Sequence, residues 1–216
     1  MGTIIELKNV NKSYKNTPVV CDLSVVFEQG KSYGVKGYNG SGKSVLLKLI
    51  AGYAFADSGE ITVNGQVMKK DIDFIPNAGV VINAPEFIEE MSAYKNLKYL
   101  AEIQNRIGDA EIHGILERFA LSHVKNKRVS TFSQGMKQRL RLAQALMEKP
   151  EILLLDEPMN ALDRDGLAQV KSILKEHIAQ GGTLMFTSHN REDFADLADV
   201  CYEIEKGKLI PVEDFR

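Results

Sequence analysis

The chain has 216 residues, 44% of them hydrophobic, which suits one α/β domain with room for an inserted subdomain. Its formal net charge of −2 supplies no general attraction to nucleic acid or anionic lipid, so no nucleic-acid partner is expected. Two cysteines are too few for a disulfide framework, which predicts a reducing compartment. No apolar run approaches the ~18 residues of a membrane span, and the N-terminus lacks a signal-peptide pattern. Together these features predict a soluble, intracellular protein.

Short alternating segments near the N-terminus predict a small sheet. Residues 4–10 and 21–27 alternate as strands do, with a turn near residues 16–18. Residues 58–65 combine a turn, a strand and an Asn-Gly turn, and this strand is expected to extend the same sheet. Tyr14 is ordinarily a half-buried aromatic at a strand end, and its alternative role is a ring that stacks on a nucleotide base.

The strongest local signal is the segment 37–44, which fits the pattern of Gly, four residues and then Gly-Lys-Ser. Its glycines allow successive backbone N–H groups to turn inward around an anion. Lys43 adds a charge for the outer phosphates, and the Ser44 hydroxyl is a ligand for the Mg²⁺ that accompanies them. A strand at 31–35 precedes the loop and an apolar helix at 45–51 follows it, which favours a nucleotide site over a plain glycine-rich turn. The candidate nucleotide-binding residues are Gly37, Tyr38, Asn39, Gly40, Ser41, Gly42, Lys43, Ser44 and Val45.

The middle of the chain changes from strand patterns to helix patterns. Residues 78–82 form a short, β-branched apolar run that is typical of a buried central strand. From residue 92 to about 119 the periodicity is helical, with Leu97, Ala101 and Ile103 assigned to one face. Because this stretch interrupts the strand alternation, it predicts a helical insertion.

Residues 131–139 open a further helix. Ser133 suits its N-cap, and the helix is expected to end near residues 149–150. Capping alone explains Ser133, and the basic residues Lys137 and Arg139 would ordinarily form a solvated face. The residues by themselves therefore assign no chemistry to this segment.

Two carboxylates follow a second buried strand. Residues 152–155 are apolar, and Asp156 and Glu157 emerge together at the carboxyl end, where open parallel sheets bind ligands. Asp156 is placed to hold Mg²⁺ from the side opposite the phosphate loop, and Glu157 to orient or deprotonate a water that attacks the terminal phosphate. Another apolar strand at 183–188 is followed by His189. A lone histidine after a strand is usually structural, but its position at the same sheet edge favours a catalytic role.

The order of these motifs along the chain is itself informative. A phosphate loop is followed by a helical insertion, then by residues 132–136, the strand that ends in two carboxylates, Asp163 and finally His189. In this combination the chain resembles the ATP-binding subunit of an ATP-binding cassette (ABC) transporter over essentially its whole length. The segment 133–139 is most similar to the exporter subunits of the drug, bacteriocin-immunity and polysaccharide-export type.

The resemblance implies a role for each matching position at the chain's own site. Residues 37–44 would be Walker A, with Lys43 among the catalytic groups. Walker B would end at Asp156, a ligand of Mg²⁺, and Glu157 would be the catalytic carboxylate. His189 would be the switch histidine beside the γ-phosphate.

Other matching positions serve a different part of the family's mechanism. Tyr14 would stack on adenine, and Asp163 would belong to the D-loop. The signature loop, which in this family completes the ATP site of a second subunit, would consist of Phe132, Ser133, Gln134, Gly135 and Met136. Gln134 stands where the family has the first of two glycines, whereas Gly135 is kept. Asn83 stands where the family has Gln, and its shorter amide leaves a contact with Mg²⁺ or the attacking water open.

The resemblance implies an α/β fold: a P-loop NTPase core with a mainly parallel sheet, an N-terminal antiparallel β subdomain and an inserted helical subdomain. Residues 1–216 would form a single ABC ATP-binding domain. Its catalytic core would comprise approximately residues 1–86 and 150–216, and the helical subdomain with the signature motif would comprise residues 87–149.

The implied activity is hydrolysis of ATP with Mg²⁺, which would power a transporter, of exporter type, through head-to-tail dimerisation. The partners would be an identical or related ATP-binding subunit and a separate transmembrane permease that the region near residues 83–103 would face. The permease would hold the chain peripherally on the cytoplasmic face of the cell membrane. Two alternatives remain: a soluble ABC-type ATPase in repair or translation, which the missing second cassette disfavours, and a nucleotide-binding regulatory module with little turnover.

Overall fold

The computed structural model describes residues 2–83 and 86–215, and within them the chain forms ten β-strands and six α-helices. The strands are β1 (Thr3–Tyr14), β2 (Thr17–Glu28), β3 (Ser32–Lys36), β4 (Ser58–Val63), β5 (Gln66–Val67), β6 (Ala78–Val81), β7 (Ile152–Leu155), β8 (Thr183–Thr187), β9 (Val200–Glu205) and β10 (Lys208–Val212). The helices are α1 (Lys43–Ala51), α2 (Ala93–Gln104), α3 (Asp109–Arg118), α4 (Gln134–Leu146), α5 (Arg164–Ala179) and α6 (Arg191–Leu197). None of these helices is both long and apolar enough to cross a membrane.

The N-terminal strands form an antiparallel sheet, as predicted, in the order β2-β1-β4-β5. The turn between β1 and β2 consists of Lys15 and Asn16, one residue earlier than the sequence suggested. Both have positive φ values, 48° and 64°, a conformation that asparagine adopts more readily than most residues. Buried side chains of this sheet, including Ile5, Leu7 and Phe27, pack with α1 in one hydrophobic cluster.

The second sheet has six strands in the order β10-β9-β3-β8-β7-β6. Its neighbouring strands are parallel except for β9 and β10, which form a C-terminal hairpin. The carboxyl ends of β3, β7 and β8 therefore lie along one edge. The strand directions confirm the predicted, mainly parallel sheet. The loops that leave this edge carry the phosphate-loop residues, the two carboxylates and His189, so these three segments are neighbours.

The apolar strand β6 lies at the edge of this sheet beside β7, so its prediction as a central strand is wrong. Its shielding has another cause, which is the close approach of α4. A Cβ added to Gly79 would come within 2.1 Å of the carbonyl oxygen of Ala145 in that helix. The helix packs on the face of β6 that carries Gly79 and Val81, whereas Ala78 and Val80 point to the opposite face and remain only partly buried.

Residues between β6 and β7 form the helical region that the sequence predicted. The Ser92 hydroxyl caps α2 by accepting a hydrogen bond from the Lys95 amide, and Leu97 and Ala101 are buried on the inner face. The assignment of Ile103 to that face is wrong, because its side chain is 71% exposed. Six positions along a helix of 3.6 residues per turn place Ile103 about 120° away from Leu97.

The structure contains one helix that the sequence pattern did not indicate. α6 has seven residues and begins after Asn190, whose side chain accepts a hydrogen bond from the Glu192 amide. Phe194 and Leu197 pack from this helix into the core. Two apolar positions are too few to establish a helical period, so the element emerges only from its packing.

We expect Gly79→Ala to destabilise the fold by about 1–3 kcal/mol, the usual cost of overpacking, because the added methyl group would push α4 away from β6. Gly114→Ala in α3 is the matched control, since a Cβ there meets nothing within 4 Å and alanine favours a helix by about 1 kcal/mol. Urea-unfolding midpoints measure both effects. A Gly79→Ala midpoint equal to that of the wild type would contradict the close helix–strand contact.

Candidate nucleotide-binding site

The loop after β3 has the shape of an anion cradle. Gly37 and Gly42 have positive φ values of 153° and 109°. A Cβ at Gly37 would lie 2.6 Å from the Ser41 hydroxyl, so glycine is needed there for space as well as for backbone freedom. Lys43 is buried, and its Nζ donates to the carbonyl oxygens of Gly37 (2.8 Å) and Tyr38 (3.3 Å). The ammonium thus lies inside the loop at the N-terminus of α1, where the helix dipole favours anions.

The Asp156 carboxylate joins the elements around the loop. Ser44 Oγ donates to Asp156 Oδ2 (2.5 Å), and Thr187 Oγ1 donates to Asp156 Oδ1 (2.7 Å). The Thr187 hydroxyl also accepts a hydrogen bond from the backbone N–H of Glu157 (2.9 Å). The backbone N–H of Asp156 donates to the carbonyl oxygen of Val81 at the end of β6 (2.7 Å). One side chain therefore fixes the relative positions of α1, β7 and β8.

Glu157 lies beside this network with a left-handed backbone (φ 51°), which non-glycine residues adopt at a cost. Its Oε1 is 2.9 Å from His189 Nε2, although the orientation of the two groups does not meet hydrogen-bond geometry. Burial raises the pKa of the Glu157 carboxyl above its ordinary value, against the opposing influence of His189 and Lys43. A carboxylate made more basic in this way beside a phosphate loop is suited to accept a proton.

These groups surround one cavity of about 460 Å³ at the carboxyl edge of the six-stranded sheet. The predicted residues that it brings together are Asn39, Gly40, Gly42, Lys43, Ser44, Val45, Asp156, Glu157 and His189. Val19 of β2 and Asn160 complete the lining. Gly37, Tyr38 and Ser41 shape the loop from outside this lining, with the Tyr38 side chain largely exposed and Ser41 buried.

Tyr14 and Asn83, two further predicted ligand residues, also lie outside the lining of this cavity. Tyr14 is 46% exposed at the end of β1, with Lys12 Nζ 5.1 Å from the centre of its ring. Asn83 is exposed, has a left-handed backbone (φ 56°), and precedes residues that lie outside the described ranges. Stacking of Tyr14 on adenine and contact of Asn83 with Mg²⁺ therefore stay predictions.

The signature segment lies on a different surface. The Ser133 hydroxyl caps α4 by accepting a hydrogen bond from the Met136 amide (3.2 Å), which confirms the predicted N-cap. Gly135 approaches the chain after β7 so closely that a Cβ would be 2.8 Å from the carbonyl oxygen of Ala161. Residues 132–136 are all described, and none of them lines the phosphate cavity. The chain does not complete this cavity with its own signature.

Two side chains of α4 attach it to the segment after β7. Gln138 Nε2 donates to the carbonyl oxygen of Pro158 (2.9 Å), and Arg139 Nη2 donates to Asp163 Oδ1 (2.6 Å). Asp163 also caps α5, and the hydrogen bonds from the Gly166 amide and from Arg139 hold the pKa of its carboxyl below the ordinary value. Arg139 is thus paired within the fold, and its assignment to a solvated face is wrong.

The oxygen atoms at this edge fit Mg²⁺. Ser44 Oγ and the Asp156 carboxylate are hard oxygen ligands that already lie 2.5 Å apart. In residues 2–83 and 86–215 no cluster of three or more His, Cys, Asp or Glu side chains could hold a metal ion, so a cation here would take its other ligands from phosphate and water. Mg²⁺ usually keeps several waters and binds in this way beside substrate phosphates.

Thr187 is the site residue that sequence analysis missed, because a threonine in an apolar strand has the character of β-branched core. We expect Thr187→Val to cost about 1–3 kcal/mol of stability, since it leaves buried polar groups without a partner. By disturbing Asp156 and Glu157, it should also lower kcat for ATP hydrolysis about tenfold, the effect of one interaction worth about 1.4 kcal/mol.

Thr183→Val at the other end of β8 is the matched control for this prediction. The Thr183 hydroxyl is equally buried and accepts a hydrogen bond from the Gly30 amide (2.9 Å), far from the two carboxylates. Its loss should reduce stability similarly and leave kcat unchanged. Urea unfolding and steady-state ATPase assays measure the pair, and equal kcat values for the two variants would contradict a role for Thr187 in the site.

Comparison with known proteins identifies one family. A family model described as ABC transporter matches residues 20–160. The chain is 41% identical over 206 residues to the uncharacterized ABC transporter ATP-binding protein YybJ of Bacillus subtilis (strain 168), covering 95% of this chain and 94% of that protein. It is 34% identical over 212 residues to the bacitracin transport ATP-binding protein BcrA of Enterococcus faecalis, covering 97% of this chain and 69% of that protein.

A solved structure supports the fold assignment. The ATP-binding cassette MJ0796, described as a dimer in a post-hydrolysis state bound to ADP and Pi, superposes with a TM-score of 0.87 at 21% sequence identity, covering 99% of each chain. With the family match and the relatives, this likeness leads to one conclusion. The chain belongs to the ATP-binding subunits of ABC transporters and is an ATPase of that family.

Proposed function

We propose that this chain hydrolyses Mg²⁺-bound ATP between two ATP-binding subunits arranged head to tail, and that closure and opening of this pair drive a separate permease. The observation that carries the proposal is the convergence of Lys43, Asp156, Glu157 and His189 on one cavity, while the signature segment lies elsewhere. A second subunit, identical or related, would bring its signature to that cavity. The pair would then contain two equivalent sites.

Binding of ATP would replace short contacts within the site by contacts with phosphate and Mg²⁺. The Lys43 ammonium, which the carbonyl oxygens of its own loop now hold, would turn to the outer phosphates. The loop amides and the N-terminus of α1 would surround the remaining phosphate oxygens. Ser44 and Asp156 would hold Mg²⁺, which when bound neutralises charge on the phosphates.

Glu157 is the general base in the proposed reaction. A water attacks the γ-phosphorus, Glu157 accepts a proton from that water, and the bond to the β-phosphate oxygen breaks so that ADP and phosphate leave. The raised pKa of Glu157 suits this role, because a more basic carboxylate is a better proton acceptor near neutral pH. His189, 2.9 Å from Glu157, would orient the carboxylate and contact the γ-phosphate.

The position of the signature supports its use by a second subunit. Ser133 and Gln134 are exposed at the N-terminus of α4, where backbone N–H groups and the helix dipole favour an anion. Gly135 follows them, and its lack of a side chain lets the N-terminus of α4 pack against the carbonyl oxygen of Ala161. The MJ0796 cassette, which shares the fold, is described as a dimer bound to ADP and Pi.

A groove that combines polar residues with exposed large apolar side chains supports the permease as a partner. Tyr53 and Ile103 are 57% and 71% exposed, and with Leu100 they line a groove of about 280 Å³ between the core and the helical region. Exposed apolar surface of this kind marks sites of protein contact. We propose that the permease binds here and thereby holds the chain on the cytoplasmic face of the membrane.

We propose a two-part organisation of the chain. Approximately residues 1–86 and 150–216 act as the catalytic core, and residues 87–149 act as the helical subdomain that transmits movement between ATP and the permease. Export is the proposed direction, since BcrA, which is named for bacitracin transport, is a relative over 97% of this chain.

We expect Glu157→Gln to bind ATP but to lower kcat by about 10²–10⁴-fold, the usual contribution of a general base, because glutamine keeps the size of the side chain and removes the proton acceptor. Phosphate release measures kcat, and light scattering in Mg²⁺–ATP should show the variant accumulating as a dimer. Glu151→Gln is the control, because Glu151 lies at the opposite end of β7 and bonds to Gln29. Wild-type turnover in Glu157→Gln would remove its role as base, and a monomer with ATP would contradict the head-to-tail arrangement.

We expect Ile103→Glu to weaken co-purification of a polytopic membrane protein with this chain about tenfold or more, as loss of an apolar contact residue does at many interfaces. ATPase activity of the isolated chain should not change. Ile210→Glu on β10 is the control, since Ile210 is also exposed but lies outside the groove. Affinity purification from detergent-solubilised membranes of the source organism measures the effect, and recovery of only ribosomes or repair proteins would contradict a permease partner.

A further inference from the structure

The loop that carries His189 is anchored to a buried ion pair. Lys171 of α5 and Asp193 of α6 face each other with 2.8 Å between Nζ and Oδ1. Their side chains are 11% and 3% exposed, so both charges are almost completely removed from water. Lys171 Nζ is also 2.7 Å from the carboxylate of Asp196, which lies nearer the surface.

The ion pair continues into the loop through hydrogen bonds on both sides of His189. The Ser188 hydroxyl donates to Asp193 Oδ2 (2.7 Å) and accepts from the backbone N–H of Asn190 (3.0 Å). Ser188 is itself buried. The residues before and after His189 are therefore both held to Asp193, whereas the histidine ring is half-exposed and touches Glu157.

Stability alone does not explain this arrangement. Removing two charges from water offsets most of their mutual attraction, and an apolar pair of similar volume would often stabilise a fold as well or better. A carboxylate held by an ammonium has, however, a fixed direction. The Lys171 ammonium lies beside Oδ1 of Asp193 as an ion-pair contact that does not meet hydrogen-bond geometry, and Oδ2 accepts the hydrogen bond from Ser188, which ties the loop to α6.

We propose that Ser188, Asp193 and Lys171 are positioning residues that hold His189 against Glu157. The inference rests on the proposed function of those two residues in ATP hydrolysis. None of the three positioning residues lines the phosphate cavity. Ser188 carries no charge, so its effect on turnover passes through His189, whereas the charge of Asp193 also raises the pKa of Glu157. In this proposal, three residues outside the phosphate cavity influence the rate of the reaction by positioning His189.

Ser188→Ala is the primary test, because it removes the link to the loop and leaves the ion pair intact. In steady-state assays of the purified chain, kcat should fall about tenfold, while KM for ATP changes little. The thermal midpoint should also fall, because the buried Asp193 carboxylate loses a hydrogen-bond donor. Asp196→Asn is the matched control, since it removes the outer partner of Lys171 and leaves Asp193 in place, and its kcat should stay within about twofold of the wild type. A lower thermal midpoint with unchanged kcat in Ser188→Ala would overturn the inference.

A double-mutant cycle with His189→Ala separates this inference from the proposed function. In the His189→Ala background, Ser188→Ala should cause no further loss of the single-turnover rate, because the two residues act as one unit. Losses that multiply would show that Ser188 acts elsewhere and would overturn the inference while the role of His189 stands. Full activity of His189→Ala alone would instead remove the role proposed for His189, and the inference with it.

Discussion

The hydrogen bonds of Asp156 hold the functional edge of this molecule together. Its carboxylate accepts from Ser44 at the start of α1 and from Thr187 at the end of β8, and its backbone N–H reaches β6. Parallel strands need long crossover connections, and these connections return β3, β7 and β8 to the sheet in the same direction. The loops that follow therefore leave from one edge, and the hydrogen bonds of a single carboxylate fix their relative positions. The phosphate loop, Glu157 and the loop of His189 depend on that group for their mutual distances.

Features encoded in short stretches of sequence could be predicted, whereas features that depend on distant neighbours could not. The phosphate loop requires its glycines and lysine within eight positions, and Asp156 follows directly on an apolar run. The place of β6 in the sheet does not follow from its own residues: its composition suits a central strand, but it lies at the edge of the sheet with α4 packed on one face. Thr187 was missed for the same reason, because its partner Asp156 is 31 residues away in sequence.

Burial sets a second limit on what sequence can show. Lys171 and Asp193 have the composition of surface residues, and only the packing of α5 against α6 encloses them together. α6 is too short for its apolar positions to form a pattern. The raised pKa of Glu157 likewise arises from enclosure, an environment that no motif contains. Motif spacing predicted most of the residues that line the cavity, but the fold determines how basic and how firmly held they are.

α4 connects the two ends of the proposed mechanism as one body. Its first turn carries the signature, and its last turns lie on β6, with Gly79 directly beneath Ala145. Between them, Gln138 and Arg139 bond to the segment that follows Glu157, at 2.9 Å and 2.6 Å from their acceptors. A permease that displaces the helical region must therefore either carry that segment along or break both bonds. Because packed helices and their hydrogen bonds switch between discrete arrangements rather than deform smoothly, we expect the signature and the residues beside the general base to move as a set.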